Sequence, residues 1–459
     1  MTSFPLPESR LELWSGGPRV FATLALLRVY NPEIVRFLGA TLQALPDPRR
    51  YAQQCTHRLE QTLRRCRRIP FYAERFDAAA LFAGEQLHVE RLANVRPLTK
   101  SDIRSRFDAL RHPEPQPGVY TNTSGGSTGE PVRFIQDRRF HARAIADTIL
   151  FGLLNGKRPG EREVKLWGSE RDIFEGTVGG REKLINRLYN RVLLNSFAMD
   201  SATMRAYIDI INEVRPVQIW TYVDSILELV RFASRERLPI HNPAAIVCTA
   251  GTMYPEMRAE LEHFFPATRV VNQYGSREVG QIGCEVPGVD GVWLMRHSVH
   301  VELVDADSGL PIHEPGRPGK VLITTLNNRS MPLVRYDIGD FAEFAPAAAG
   351  ELPNFARVHG RENAHFITSG GARIHGEFFT HLFYGRDWVE TFQVAQTALN
   401  HVAVRYVTTG QPAAPADLAA IRDGICTVMG AHTQVTFEER SHIDRLDSGK
   451  YQFVRREFA

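Results

Sequence analysis

The chain has 459 residues, 43% hydrophobic and 10% aromatic, enough apolar mass for a large core and more than one domain. Its 55 basic and 52 acidic side chains leave a net charge of +3, which supplies no broad basic footprint and excludes nucleic acid as the expected partner. The longest early apolar run, Val20 to Leu27, stops at Arg28 and is too short to span a bilayer, and Glu8 and Glu12 do not suit a signal peptide. A cytoplasmic protein without a transmembrane segment is expected. Cys55, Cys66, Cys248, Cys284 and Cys426 form no CxxC pair, so reduced, mostly buried thiols are expected instead of a disulfide framework or zinc ribbon.

In chain order, the first hundred residues read as mainly helical, with a periodic stretch from Arg49 to Arg68 and punctuation at Pro46, Pro48 and Pro70. The basic cluster Arg64, Arg65, Arg67 and Arg68 reads as a solvated helix face. From about Gly118 short β-prone runs alternate with helical ones. The runs Val132–Ile135, Val164–Trp167, Val217–Trp220 and Ala245–Cys248 predict strands; His141 to Leu154, Ala202 to Val214 and Ser225 to Arg235 predict helices. That alternation is the pattern of βαβ units and a mainly parallel sheet. Between Val299 and Phe344 closely spaced strands, among them Val301–Val304 and Val321–Thr325, predict an antiparallel sheet or small barrel. A boundary is expected near Gly360, separating a large domain (1–360) from a small mobile α+β domain (361–459). The small domain would hold strands at Phe392–Ala395, Val402–Val407 and Gln434–Glu438 and a helix from Pro415 to Val428. The predicted class is α/β, with parallel sheets flanked by helices and a small β-barrel-like part in the large domain.

The segment from Tyr120 to Pro131 is the most informative. Gly125, Gly126 and Gly129 let the backbone turn and approach a ligand, and Thr121, Thr123, Ser124, Ser127 and Thr128 add hydroxyl donors. Such a loop suits a polyphosphate, although no Gly-Lys-Ser/Thr follows to make a Walker A motif. Two other readings stand beside it: a plain hairpin loop, and a nucleophile elbow around Ser127 that would make the chain a serine hydrolase. An elbow needs a helix directly after its serine, whereas Pro131 and a β-prone run follow here.

With this loop, the chain resembles the adenylate-forming (acyl-CoA synthetase-like) superfamily, and within it the phenylacetate-CoA ligase and CapK-like branch. Ile69-Pro70-Phe71-Tyr72 and Arg96 to Arg104 look like segments of that branch, and Thr123 to Gly129 matches its phosphate loop, with Glu130 where lysine is common. Trp167 to Asp172 resembles a branch segment bordering the acyl pocket, for which Trp167, Tyr222 and residues 279–283, with Gly280, are candidates. Ala250, Gly251 and Thr252 correspond to the loop beside adenine. Tyr274-Gly275-Ser276-Arg277-Glu278 matches the Tyr-Gly-x-x-Glu motif, which implies Tyr274 at adenine and Glu278 as a Mg²⁺ ligand. In Arg335 to Asp340 the last aspartate implies a ribose ligand, since one carboxylate can accept from two hydroxyls. Arg361 and Asn363 look like the ribose contact and pivot of the hinge, with Ala364 where aspartate is common. Asp444 to Lys450 matches the turn that delivers the catalytic lysine, Lys450.

The resemblance implies ATP and Mg²⁺ as cofactors, a small carboxylic acid as substrate, and an acyl-AMP intermediate formed with release of pyrophosphate. The acceptor it favours is coenzyme A, with a carrier protein or an amine as alternatives, and the aromatic pocket candidates lean toward an aryl or arylalkyl acid. The loop Thr368 to Arg373 would face the site during acyl transfer. A non-catalytic nucleotide-binding scaffold is a third class, disfavoured because Lys450 and Glu278 are present. His297 and His300, near Cys284, are read as surface or core residues and not as zinc ligands.

Overall fold

A computed structural model describes residues 17–123, 132–167, 186, 189–196, 199–251, 253–347, 351–361, 365–371, 373–383, 386–444 and 452–458. It packs as two compact units, one formed by residues 17–253 and 260–358 and the other by 254–259 and 359–458. Among the described residues no helix is long and apolar enough to cross a membrane.

The first unit opens with helices whose starts are written in the sequence. Asn31 accepts from the Glu33 amide to cap Pro32–Ala44, and Asp47 accepts from the Arg49 and Arg50 amides to cap Pro48–Cys66. In each case a proline follows the cap, where its fixed φ suits the first turn and its missing N–H costs nothing. The arginines near the end of the second helix reach outward: Arg67 pairs with Glu85 and Arg68 with Glu114.

A seven-stranded sheet forms the centre of this unit. Its spatial order is Trp293–Leu294, Gly280–Cys284, Arg269–Ser276, Ala245–Thr249, Gln218–Tyr222, Glu163–Trp167 and Arg191–Asn195. The last five run parallel, and the first two are added antiparallel. Gln218–Tyr222 and Ala245–Thr249 are buried at every position, as strands covered on both faces must be. The chain passes from Glu163–Trp167 to Arg191–Asn195 on one side and then returns to Gln218–Tyr222 on the other. The carboxyl ends of Glu163–Trp167 and Gln218–Tyr222 therefore flank a topological switch point, where open α/β sheets place ligands.

Beside it lies a four-stranded sheet ordered Val299–Val304, Gly319–Thr325, Tyr336–Phe344 and the strand that begins at Phe355, its first three strands antiparallel. In the second unit Gln434–Glu439, His401–Thr408, Val389–Ala398 and Val454–Arg456 make a mixed sheet. The helix Pro415–Met429 buries Ile421, Ile425 and Met429 in that unit's own core, with Phe392, Val394 and Val404.

One long helix, Arg138–Leu154, ties the sheets of the first unit together. Asp137 caps it by accepting from the Phe140 amide at 2.9 Å, and its other oxygen accepts from the Arg329 and Ser330 amides. Deeper along the helix, Arg143 and Asp147 form an ion pair at 2.6 Å with side chains only 2% exposed. Asp147 also accepts from Ser298 Oγ and His297 Nε2, while His297 Nδ1 accepts from the Tyr51 hydroxyl at 2.7 Å. Burial, aided by the Arg143 guanidinium, pushes the His297 imidazole down to about 4 against the pull of Asp147. Burial alone would raise the Asp147 carboxyl, but Arg143 and His297 overcome it and hold it at about 2. His297 is thus a neutral core residue held in a hydrogen-bond network.

The sign of the resulting pH dependence follows from linkage. The His297 value in the fold lies below the 6.5 of a free imidazole, so on acidification the unfolded chain binds the proton first and stability falls. Thermal unfolding should show stability falling by about 3 kcal/mol from this residue as pH drops from 6.5 to 4. A His297→Gln variant, which cannot titrate, should lose less between those two pH values than the parent.

Candidate active site

The hydroxyl-rich loop is carried by a hairpin. Tyr120–Thr123 pairs antiparallel with Arg133–Gln136, Thr123 lying opposite Arg133. Residues 124–131, which include Ser124, Gly125, Gly126, Ser127, Thr128 and Gly129, lie outside the described residues. The segment joins strand to strand, whereas a nucleophile elbow joins strand to helix; the helix Arg138–Leu154 begins only after the second strand.

A second hairpin brings in Tyr274 to Glu278. Arg269–Ser276 and Gly280–Cys284 pair with Ser276 opposite Gly280, leaving Arg277, Glu278 and Val279 as the turn. Val279 anchors the turn in the same core as Val132, Phe134 and Ile135. At Gly275 a Cβ would lie 2.6 Å from the Gly280 carbonyl oxygen. The glycine of the Tyr-Gly-x-x-Glu motif is thus required by the neighbouring strand itself. Gly280 has φ +82° and packs against the Phe140 ring, where a Cβ would sit 3.4 Å from Cζ. Glu278 is 7% exposed. Among the described residues the buried Ser276 hydroxyl has no hydrogen-bond partner, the condition of a donor left for a ligand.

The ends of distant strands converge here. The Tyr274 hydroxyl donates to Asp340 Oδ2 at 2.9 Å, and the Tyr274 ring lies 6.3 Å from that of Phe355. The structure therefore joins the aromatic of one motif to the carboxylate of another. Thr249 Oγ1 donates to Gln273 Oε1 at 2.7 Å, which links the strand leading to Ala250 and Gly251 with the one carrying Tyr274. Ala250 takes a left-handed φ of 69°, and a Cβ on Gly251 would lie 3.3 Å from that of Val223. In the Asp340 segment, Arg335 turns inward with φ 51° and donates to Glu302 at 3.1 Å and to the Ala93 and Val95 carbonyls. It stitches the strand to the segment around Arg96-Pro97-Leu98, where Asp102 and Thr99 form a reciprocal capping box.

Trp167 and Tyr222 meet at the switch point of the parallel sheet, ring centroids 4.4 Å apart, with Lys165 Nζ 4.1 Å from the Trp167 ring centroid. Arg361 ends the strand that begins at Phe355. Thr252, Asn363 and Lys450 lie outside the described residues.

Gln136 is a site-border residue that the sequence reading missed. Only 1% exposed, it accepts from Asn122 Nδ2 at 3.2 Å and donates to the carbonyls of Arg277 at 2.8 Å and Glu278 at 3.5 Å. A glutamine ending a β-prone run just before a capping aspartate carries no local signal of this. For Mg²⁺, the fit lies in the donor set. Among the described residues no group of three or more His, Cys, Asp or Glu side chains gathers. The buried Glu278 instead suits an ion held by one carboxylate and substrate phosphates, the usual manner for Mg²⁺.

Residues 366–457 match the CapK C-terminal domain family. The chain is 24% identical over 403 residues to protein CapK of Staphylococcus aureus, covering 84% of each. It is 24% identical over 327 residues to phenylacetate-coenzyme A ligase of Escherichia coli strain K12, covering 69% of this chain and 72% of that one. Among solved structures, 2-hydroxyisobutyryl-CoA ligase in complex with 2-HIB-AMP matches with a TM-score of 0.68 at 18% identity, covering 88% and 89% of the two chains. The amide bond synthetase McbA from Marinactinospora thermotolerans matches at 0.51 and 17% identity, covering 71% and 65%. At such identities the structural likeness speaks for the fold. By these comparisons the chain is similar in sequence to CapK and phenylacetate-coenzyme A ligase, shares its fold with 2-hydroxyisobutyryl-CoA ligase, and carries a C-terminal segment that matches the CapK C-terminal domain family.

Proposed function

We propose that the chain activates a carboxylic acid with ATP as its acyl-AMP, releasing pyrophosphate, and passes the acyl group to coenzyme A. The observation that carries this reading is the Tyr274–Asp340 bond, which sets an aromatic ring beside a carboxylate able to accept from both ribose hydroxyls. Glu278, four residues beyond Tyr274, is buried on the same hairpin. We place the reaction in the cytoplasm, where both ATP and coenzyme A are available.

A free carboxylate is a poor acyl donor because its leaving group would be oxide, and coupling to AMP supplies a better one. The two reacting groups are both anions, so cationic groups and N–H donors must be concentrated where they meet. In this reading Thr123 and the loop Ser124 to Gly129 donate to the β- and γ-phosphates. Asp340 and Arg361 hold the ribose, and Ala250, Gly251, Thr252, Tyr274, Gly275 and Ser276 border the nucleotide. Glu278 would hold Mg²⁺, which when bound would supply positive charge to neutralise phosphate oxygens. Lys450 bridges the substrate carboxylate and the α-phosphate, and the small domain turns about Asn363 once the adenylate has formed. Trp167 and Tyr222, paired at the switch point, form an aromatic wall suited to an aryl or arylalkyl acid.

Acid-dependent ATP–pyrophosphate exchange tests the first half-reaction. Lys450→Ala should reduce it by about 10²–10³-fold while leaving thioester formation from supplied acyl-AMP intact; unchanged exchange would sink the role of Lys450. Asp340→Ala should raise the KM for ATP by roughly 10- to 100-fold, the loss expected for charge-assisted hydrogen bonds. The same change should erase any preference for ATP over 2′-deoxy-ATP, as steady-state kinetics with both nucleotides will reveal.

A further inference from the structure

Four residues beside the phosphate loop form a closed ring of hydrogen bonds. The Thr123 amide donates to Asn122 Oδ1 at 2.9 Å. Asn122 Nδ2 donates to Gln136 Oε1 at 3.2 Å, and Gln136 Nε2 donates to the Arg277 carbonyl at 2.8 Å, with the Glu278 carbonyl at 3.5 Å. Arg277 Nη1 closes the circuit on the Thr123 carbonyl at 3.4 Å. Each amide has its orientation set by its neighbour: an oxygen must face a donor, so each NH₂ is turned to the next acceptor.

The ring spans two separate hairpins. Thr123 and Gln136 lie on the strands that lead into and out of residues 124–131, and Arg277 and Glu278 form the turn of the other hairpin. Turn carbonyls lack a ladder partner, so the buried Gln136 amide supplies one that the second hairpin does not provide for itself. On the basis of the function proposed above, we infer that Gln136 and Arg277 are positioning residues that set the strands Tyr120–Thr123 and Arg133–Gln136 against the Glu278 turn, and that they serve the β- and γ-phosphates of ATP and not its adenosine part. The nucleoside end is fixed independently through Tyr274, Asp340 and the Thr249–Gln273 bond, none of which belongs to the ring.

The test separates the two ends of the nucleotide. Binding of Mg²⁺ with α,β-methylene-ATP, and of AMP alone, is measured by calorimetry on the full chain. Gln136→Ala should weaken the triphosphate by about tenfold, the effect of losing a buried hydrogen bond, and change AMP by less than about twofold. Arg277→Met removes an exposed side chain without emptying the core; it should show the same selectivity at roughly threefold, and it decides the matter if Gln136→Ala does not fold. Equal losses for both nucleotides, or no loss for either, would overturn the clamp while leaving the ligase reading standing. A parent chain that binds neither nucleotide would overturn both.

Discussion

Two charges buried on one helix constrain much of the first unit. Arg143 and Asp147 are removed from water, and a buried ion pair offsets its desolvation cost through good geometry and additional hydrogen bonds. Ser298 and His297 donate to Asp147, and Thr41 accepts from Arg143 Nη2 at 3.0 Å, while among the described residues Arg143 Nη1 has no hydrogen-bond partner. Those partners come from an N-terminal helix and from the segment just before Val299–Val304, so the helix Arg138–Leu154 can neither slide nor rotate without leaving a charge unpaired.

The site inherits that rigidity. Gln136 immediately precedes the capping residue Asp137 of this helix, so the strand that follows residues 124–131 is fixed by the helix start. Phe140, one turn in, packs against Gly280, and Gln281 donates to Thr148 at 2.6 Å. The hairpin bearing Tyr274 and Glu278 is thereby held on the same helix as the hairpin bearing Thr123. A ligand that must contact both finds them preorganised, which is how a site avoids ordering costs at the moment of binding.

The nucleotide and acyl candidates lie at different places on the parallel sheet for a topological reason. The chain changes direction between Glu163–Trp167 and Gln218–Tyr222, which puts the switch point at their carboxyl ends beside Trp167 and Tyr222. Farther across the sheet, Arg269–Ser276 continues antiparallel into Gly280–Cys284 and projects a turn. One sheet thus offers an aromatic wall at one point and a backbone-rich turn at another.

The sequence alone determined the elements and their order: the alternation that makes a parallel sheet, the helical stretch from Arg49 to Arg68, the hydroxyl-rich loop between two strands, and the motifs from Tyr274 to Lys450. These were legible because caps, turns and periodicity are local, each written within a few residues. Tertiary structure decided what the residues touch. Gly275 is required by the Gly280 carbonyl, Arg335 is spent on Glu302 and two backbone carbonyls, and Gln136, silent in the sequence, joins two hairpins. The Tyr274–Asp340 bond spans 66 residues, and no local pattern encodes such a partner. Hydrogen-bond partners are chosen by packing, which depends on where whole strands and helices come to rest.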